Sequence, residues 1–169
     1  TFSNIKDYDY GAIYINIKID RSDLTELTRI HYCDFTSCMS DKGASIYIES
    51  VETTRLYDIH CCTFKDMILH SSDNNDLKGG AIYINAKHCN IRISECSFVD
   101  NRGGSGGAIY YVSEWETQLK ALLEDTKDYS LHVLDCVFNN NEASENGGAI
   151  CISIKNGEVP KPIKIENCT

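Results

Sequence analysis

The feature that most constrains this chain is that it copies itself. The motif C-x-F stands at Cys33-Asp34-Phe35, Cys62-Thr63-Phe64, Cys96-Ser97-Phe98 and Cys136-Val137-Phe138. The chain opens on Thr1-Phe2, the tail of that motif, and closes on Cys168-Thr169, its head. Three residues before each of these cysteines sits a β-branched apolar residue: Ile30, Ile59, Ile93, Val133 and Ile165. Between successive motifs lies a second element, read at Gly11-Ala12-Ile13-Tyr14, Gly80-Ala81-Ile82-Tyr83, Gly107-Ala108-Ile109-Tyr110 and Gly148-Ala149-Ile150-Cys151. A further copy, Gly43-Ala44-Ser45-Ile46-Tyr47, reads as carrying one extra residue. Two linked motifs recurring in fixed order, about 30–40 residues apart, are the signature of a repeat architecture.

Each repeat reads as β-structure. The runs around Ile13, Ile46, Ile82, Ile109 and Ile150 are short, rich in Ile and Tyr, and preceded by glycine, which suits strands. The I-x-x-C-x-F segments read as strands too, followed by turn formers such as Asn139-Asn140-Asn141. A third short strand is expected just before them, as in Asn90-Ile91-Arg92-Ile93. Three strands and three turns in about 30 residues make one coil of a parallel β-helix. No copy has the apolar period of an α-solenoid. One coil cannot stand alone: its few buried side chains, at about 1.5–3 kcal/mol each, lose to about 1–2 kcal/mol of backbone entropy per residue. Stacked coils share backbone hydrogen bonds and side-chain layers. The expected fold is all-β, a solenoid of about five coils forming one domain over 1–169. Phe2, Phe35, Phe64, Phe98 and Phe138 are expected to stack inside it, with Cys33, Cys62, Cys96, Cys136 and Cys168 beside them.

Composition narrows the partners. Lys plus Arg number 16 against 25 Asp plus Glu, a formal charge of −9. That balance argues against nucleic acid, which needs a basic face. The nine cysteines include no C-x2-C pair, so a structural zinc knuckle is not expected. Their expected role is that of small buried hydrophobes. His31 and His60 share a register beside Cys61, and two imidazoles with a thiol could hold a transition metal. Spacing specifies no third ligand, so ordinary packed or exposed histidines are the expectation, and no metal or cofactor is assigned.

These motifs resemble the polymorphic outer membrane protein repeats of chlamydiae, marked by GGA[ILV] and FxxN. GGAI is complete at Gly79 to Ile82, Gly106 to Ile109 and Gly147 to Ile150, and FxxN at Phe98 to Asn101 and Phe138 to Asn141. Tyr10 and Lys42 stand where the first glycine is expected, and Phe2, Phe35 and Phe64 lack the Asn. The resemblance implies a right-handed parallel β-helix in an exported or cell-surface protein, adhesive or merely displayed. Both ends fall inside a repeat, which suggests a piece of a longer protein, with the same solenoid continuing on either side.

One copy carries an insertion. Trp115, Leu119, Leu122 and Leu123 recur at helical spacing, so a short amphipathic helix is expected near 113–125, with Ser113 as its N-cap. The His70 to Lys78 turn, with Asp73-Asn74-Asn75-Asp76, reads as solvated.

The functional expectation is a non-enzymatic, secreted or surface-displayed, adhesin-like protein presenting an extended face to glycans or to host or surface proteins. Tyr14, Tyr47, Tyr83 and Tyr110, a column interrupted by Cys151, are the candidate binding face if they point outward, with Trp115 beside them. Every residue of those strands is apolar, so the alternation leaves their facing undecided. The alternative is a polysaccharide lyase or glycoside hydrolase with Asp66 and Asp100 as paired carboxylates. The column Asn4, Ser37, Asp66, Asp100 and Asn140 reads more simply as a polar ladder at a turn. No catalytic residue is assigned, and no nucleotide-binding, nucleophile-elbow or zincin motif occurs.

Overall fold

Phe2, Phe35, Phe64, Phe98 and Phe138 lie in one column. In the computed structural model successive ring centroids are 4.8, 5.0, 4.8 and 4.9 Å apart, with interplanar angles of 3–7°. That spacing is the inter-strand distance of a β-sheet, so each ring rests on its counterpart one coil away. The structure describes residues 1–7, 9–17, 27–50, 56–69, 77–86, 89–114, 130–155 and 162–169.

Every described strand pairing is parallel, and the strands fall into four sheets. Sheet A stacks Phe2–Ser3, Asp34–Thr36, Thr63–Lys65, Ser97–Val99 and Val137–Asn139. Sheet B stacks Met39–Ser40, Ile68–Leu69, Arg102–Ser105 and Glu142–Asn146. Sheet C stacks Ile13–Ile17, Ile46–Ser50, Ile82–Ala86, Ile109–Glu114 and Ile150–Lys155. Sheet D stacks Leu27–His31, Leu56–His60, Asn90–Ser94, Leu131–Leu134 and Ile163–Glu166. The chain visits A, B, C and D in turn and repeats, which is a parallel β-helix.

A coil therefore has four strands, not three. The break is a left-handed residue inside each I-x-x-C-x-F segment: Tyr32, Cys61, Glu95, Asp135 and Asn167 have φ of 51–54°. It separates sheet D from sheet A. A second left-handed column, Asn4, Ser37, Asp66, Asp100 and Asn140, has φ of 53–58° and separates sheet A from the sheet B side. Asn and Asp tolerate that conformation; Tyr, Cys and Glu do so at a cost. The coil-to-coil ladder runs on through both corners and holds them. Cys61 N donates to Ser94 O at 3.1 Å, and Glu95 N to Leu134 O at 3.0 Å.

The glycine motif makes the third corner. Gly79, Gly106 and Gly147 take φ of 67°, 69° and 63°. Its second glycine permits close stacking: a Cβ on Gly107 would meet Gly148 O at 2.0 Å. Pairing of Ile46 with Ile82 places Gly43, with φ of 54°, in the first-glycine column. The Gly43 copy thus has no extra residue, and Ala44 stands where the second glycine is expected. Lys42 replaces no glycine; it pairs with Lys78.

Inside, Ile46, Ile48, Ile82, Ile84 and Ile109 from sheet C face Ile59, Ile91, Ile93, Leu131 and Val133 from sheet D, all essentially inaccessible. Cys62, Cys96 and Cys136 are buried beside the phenylalanines, as small apolar groups. Their thiols donate to carbonyls two residues back: Cys62 to His60 O at 3.3 Å, Cys96 to Ser94 O at 3.2 Å and Cys136 to Leu134 O at 3.3 Å. Cys96, flanked by Cys136 and Cys62 and buried, is held far above the ordinary thiol range.

Of the helix expected near 113–125, Ser113 and Glu114 instead continue the sheet C strand, with Ser113 paired to Ala86 and Ile154 and Glu114 to Lys155, so Ser113 is not its N-cap. The remainder of that segment, Trp115 included, lies outside the described residues, as does most of the His70 to Lys78 turn.

Candidate functional site

Sheet C alternates, with Ile46 and Ile48 inward and Tyr47 and Glu49 on the other side. The tyrosines thus stand on the outer face, yet Tyr47, Tyr83 and Tyr110 are each only 7% exposed. They bury one another. Tyr47 and Tyr83 stack at 4.7 Å and Tyr83 and Tyr110 at 5.6 Å, with Val112 and Cys151 packed against them. Lys42 Nζ sits 5.9 Å over the Tyr83 ring and Lys78 Nζ 5.3 Å over that of Tyr110. Burial pushes the Tyr47 hydroxyl up to about 12. Three of the four tyrosines of the expected binding face thus form a second, external packing layer, stacked ring on ring. Tyr14 is 40% exposed, stacked on Tyr10 at 4.0 Å, and its hydroxyl donates to Glu49 at 3.3 Å.

The outer side of sheet D has the opposite character. Its central row is Arg29, Asp58, Arg92, His132 and Lys164, one residue per coil and none buried. Cross-coil imidazole–carboxylate hydrogen bonds tie it down. His31 Nε2 meets Asp58 Oδ2 at 2.9 Å, and His132 Nε2 meets Glu166 Oε2 at 3.0 Å. Lys164 Nζ lies 2.5 Å from Glu166 Oε1 and, with His132, holds that carboxyl below its usual range.

Beside this row, at the D-to-A corner, three ligand-type side chains converge. His60 Nε2 lies 3.1 Å from Cys61 Sγ, and Cys61 Sγ lies 3.7 Å from Glu95 Oε2 on the next coil. The other imidazole nitrogen, His60 Nδ1, is 3.0 Å from Ser94 Oγ. His31 and Tyr32 pack edge-on against the His60 ring, with centroids at 5.4 and 5.8 Å. Partial burial and the Glu95 carboxylate push the Cys61 thiol up. The spacing argument for His31 and His60 found no third donor because Glu95 comes from the following coil, and His31 itself is turned to Asp58.

The asparagines of FxxN point inward. Asn101, fully buried, donates through Nδ2 to Phe64 O at 3.1 Å and accepts the Met67 amide at 3.2 Å. Asn141 repeats the first bond to Phe98 O at 3.0 Å. The corner, stacked ring, inward amide and double glycine together are the structural content of the repeat motif. Residues 135–153, which hold one full set, match the family model of the Chlamydia polymorphic membrane protein repeat. That segment is similar to a polymorphic membrane protein repeat. No curated protein and no solved structure matches the chain.

Within the repeat, the column containing Asp66 and Asp100 is backbone hardware. Both residues are left-handed corners, and Asn140 Nδ2 donates to Asp100 Oδ1 at 2.5 Å. In the Phe35 and Phe64 repeats the inward Asn is replaced by Cys38 and Met67, both fully buried.

Proposed function

We propose that the chain is part of a surface-displayed, adhesin-like β-helix that works without catalysis, engaging glycans or host or surface proteins through the outer face of sheet D. The observation that carries this reading is the row Arg29, Asp58, Arg92, His132 and Lys164. Cations, a carboxylate and an imidazole recur there at the coil spacing on a rigid support. Such a row offers charge-assisted hydrogen bonds to carboxylates, sulfates and hydroxyls of an elongated ligand. The overall acidic charge supports a protein or glycan partner over nucleic acid.

A glycan array and a cell-binding assay test it, run with the wild-type chain and with the double variant Arg29→Ala, Arg92→Ala. Retained folding with binding lost in the variant is the expected outcome. Release of reducing ends or unsaturated sugars from a polysaccharide, abolished by Asp66→Asn or Asp100→Asn, would replace this proposal with the enzymatic one.

A further inference from the structure

The geometry points to a divalent transition-metal site, Zn²⁺ foremost, at the D-to-A corner, with His60 Nε2, Cys61 Sγ and Glu95 Oε2 as its protein ligands and the fourth position open to solvent. The three ligand atoms all lie within 4.8 Å of one another. In a tetrahedral zinc site with Zn–S near 2.3 Å and Zn–N and Zn–O near 2.0–2.2 Å, ligand atoms stand about 3.3–3.6 Å apart. Two of the three separations, 3.1 Å between Nε2 and Sγ and 3.7 Å between Sγ and Oε2, lie within a few tenths of an ångström of that range, and Nε2 and Oε2 are within 4.8 Å of each other. One imidazole, one thiolate and one carboxylate are a donor set of mixed softness that suits zinc better than calcium or magnesium, which take oxygen donors.

The support is as specific as the ligands. The buried Ser94 hydroxyl engages His60 Nδ1, which leaves Nε2 for the ion, the arrangement that outer-shell partners impose on ligating histidines. Two aromatic neighbours hold the ring from the sides. Cys61 and Glu95 are successive left-handed corners whose amides are tied to Ser94 O and Leu134 O, so their side chains leave the backbone at fixed points on neighbouring coils. The interior thiols are differently placed: Cys62, Cys96 and Cys136 are buried and bonded to carbonyls. On binding, the Cys61 S–H bond breaks, its proton passes to solvent, and the thiolate electron pair forms the S–metal bond. Binding therefore releases one proton from the thiol and tightens as pH rises. The ion would clamp two coils together on the same side of the molecule as the charged row.

Titration calorimetry of the reduced 169-residue chain with Zn²⁺, and absorption spectra with Co²⁺, test this site. One equivalent is expected to bind, and Co²⁺ to give a thiolate charge-transfer band. Cys61→Ser should abolish the band, Glu95→Gln should weaken binding while keeping it, and Ser94→Ala should weaken Zn²⁺ binding about 10–100-fold. Cys151→Ser, at a thiol on sheet C, should change nothing. Absence of binding by the wild-type chain overturns the proposal. So does binding unchanged in both Cys61→Ser and Glu95→Gln, which would put the ion on other thiols. Should Cys61→Ser fail to fold, Glu95→Gln and Ser94→Ala decide, because neither removes the corner thiol.

Discussion

Asn101 Nδ2 donates to Asn141 Oδ1 at 2.8 Å, and Asn141 Oδ1 also accepts the Asn101 amide at 3.2 Å. One carboxamide thereby serves both main chain and side chain of the coil beneath, and Asn101 does the same for the Met67 amide. Removing Asn101 orphans the buried Met67 N–H, at about 1–3 kcal/mol for a group left unsatisfied, and takes a second donor from Phe64 C=O. Asn101→Ala is expected to lower unfolding free energy by roughly 2–4 kcal/mol, read from the midpoint of urea denaturation. A loss below ~1 kcal/mol would show that water replaces the amide and that the inward Asn is dispensable.

The phenylalanine column should grade with depth. Phe98 is inaccessible and stacked on both sides, whereas Phe138, on the outermost ring position, is only partly buried. Phe98→Ala should cost about 3–5 kcal/mol, the range for truncating a buried aromatic, and Phe138→Ala clearly less. Equal losses in thermal or chemical unfolding would contradict a stack whose stability depends on two-sided contact.

The two glycines of the last GGAI pair are predicted to behave oppositely to a methyl group. At Gly107 an added Cβ would lie 2.0 Å from Gly148 O, a backbone atom that cannot swing away. At Gly148 its nearest neighbour is Asn141 O at 3.6 Å, ordinary contact. Gly107→Ala should destabilise by about 1–3 kcal/mol, as over-packing does, and Gly148→Ala by much less. Comparable melting temperatures for the two variants would count against the stacking distance described.

Alkaline pH offers a test of the outer tyrosine layer. Burial pushes Tyr47 of that layer, and Tyr111 in the core on the other face of sheet C, up to about 12, against an ordinary value of 10.0. A phenol whose folded pKa is raised contributes stability that is fully present below its unfolded pKa and lost as pH rises through the folded one. Stability should therefore decline from about pH 10 upward, with these two tyrosines ionising last in an ultraviolet phenolate titration. If Tyr47 titrates with exposed tyrosines near pH 10, the layer is open.

Much of this architecture could be read from the residue string because a solenoid places each position against its own copies. Phe2, Phe35, Phe64, Phe98 and Phe138 announce a column by recurring, and the cysteines two residues before the later four do likewise. Repetition predicts contact between equivalents without any knowledge of where the turns lie. It does not predict conformation at a single residue. Tyr32, Cys61 and Glu95 have none of the marks of left-handed corners, so the division of I-x-x-C-x-F into two strands was not visible.

Burial of the tyrosine layer was also undecided, since Ile13-Tyr14-Ile15 and its copies are apolar at every position. Only the packed molecule shows that Tyr47, Tyr83 and Tyr110 lie outside the core yet cover each other. The convergence of His60, Cys61 and Glu95 belongs to the same class. Coil lengths vary, so which corner lies over which is settled by the parallel pairing of Asp58 with Arg92 and Ile59 with Ile93, which sets Glu95 one coil from Cys61. The amino-acid sequence determined that coils stack and which side chains recur; the tertiary structure decided how each coil bends, because corner geometry comes from hydrogen bonds to neighbouring coils rather than from the residue at the corner.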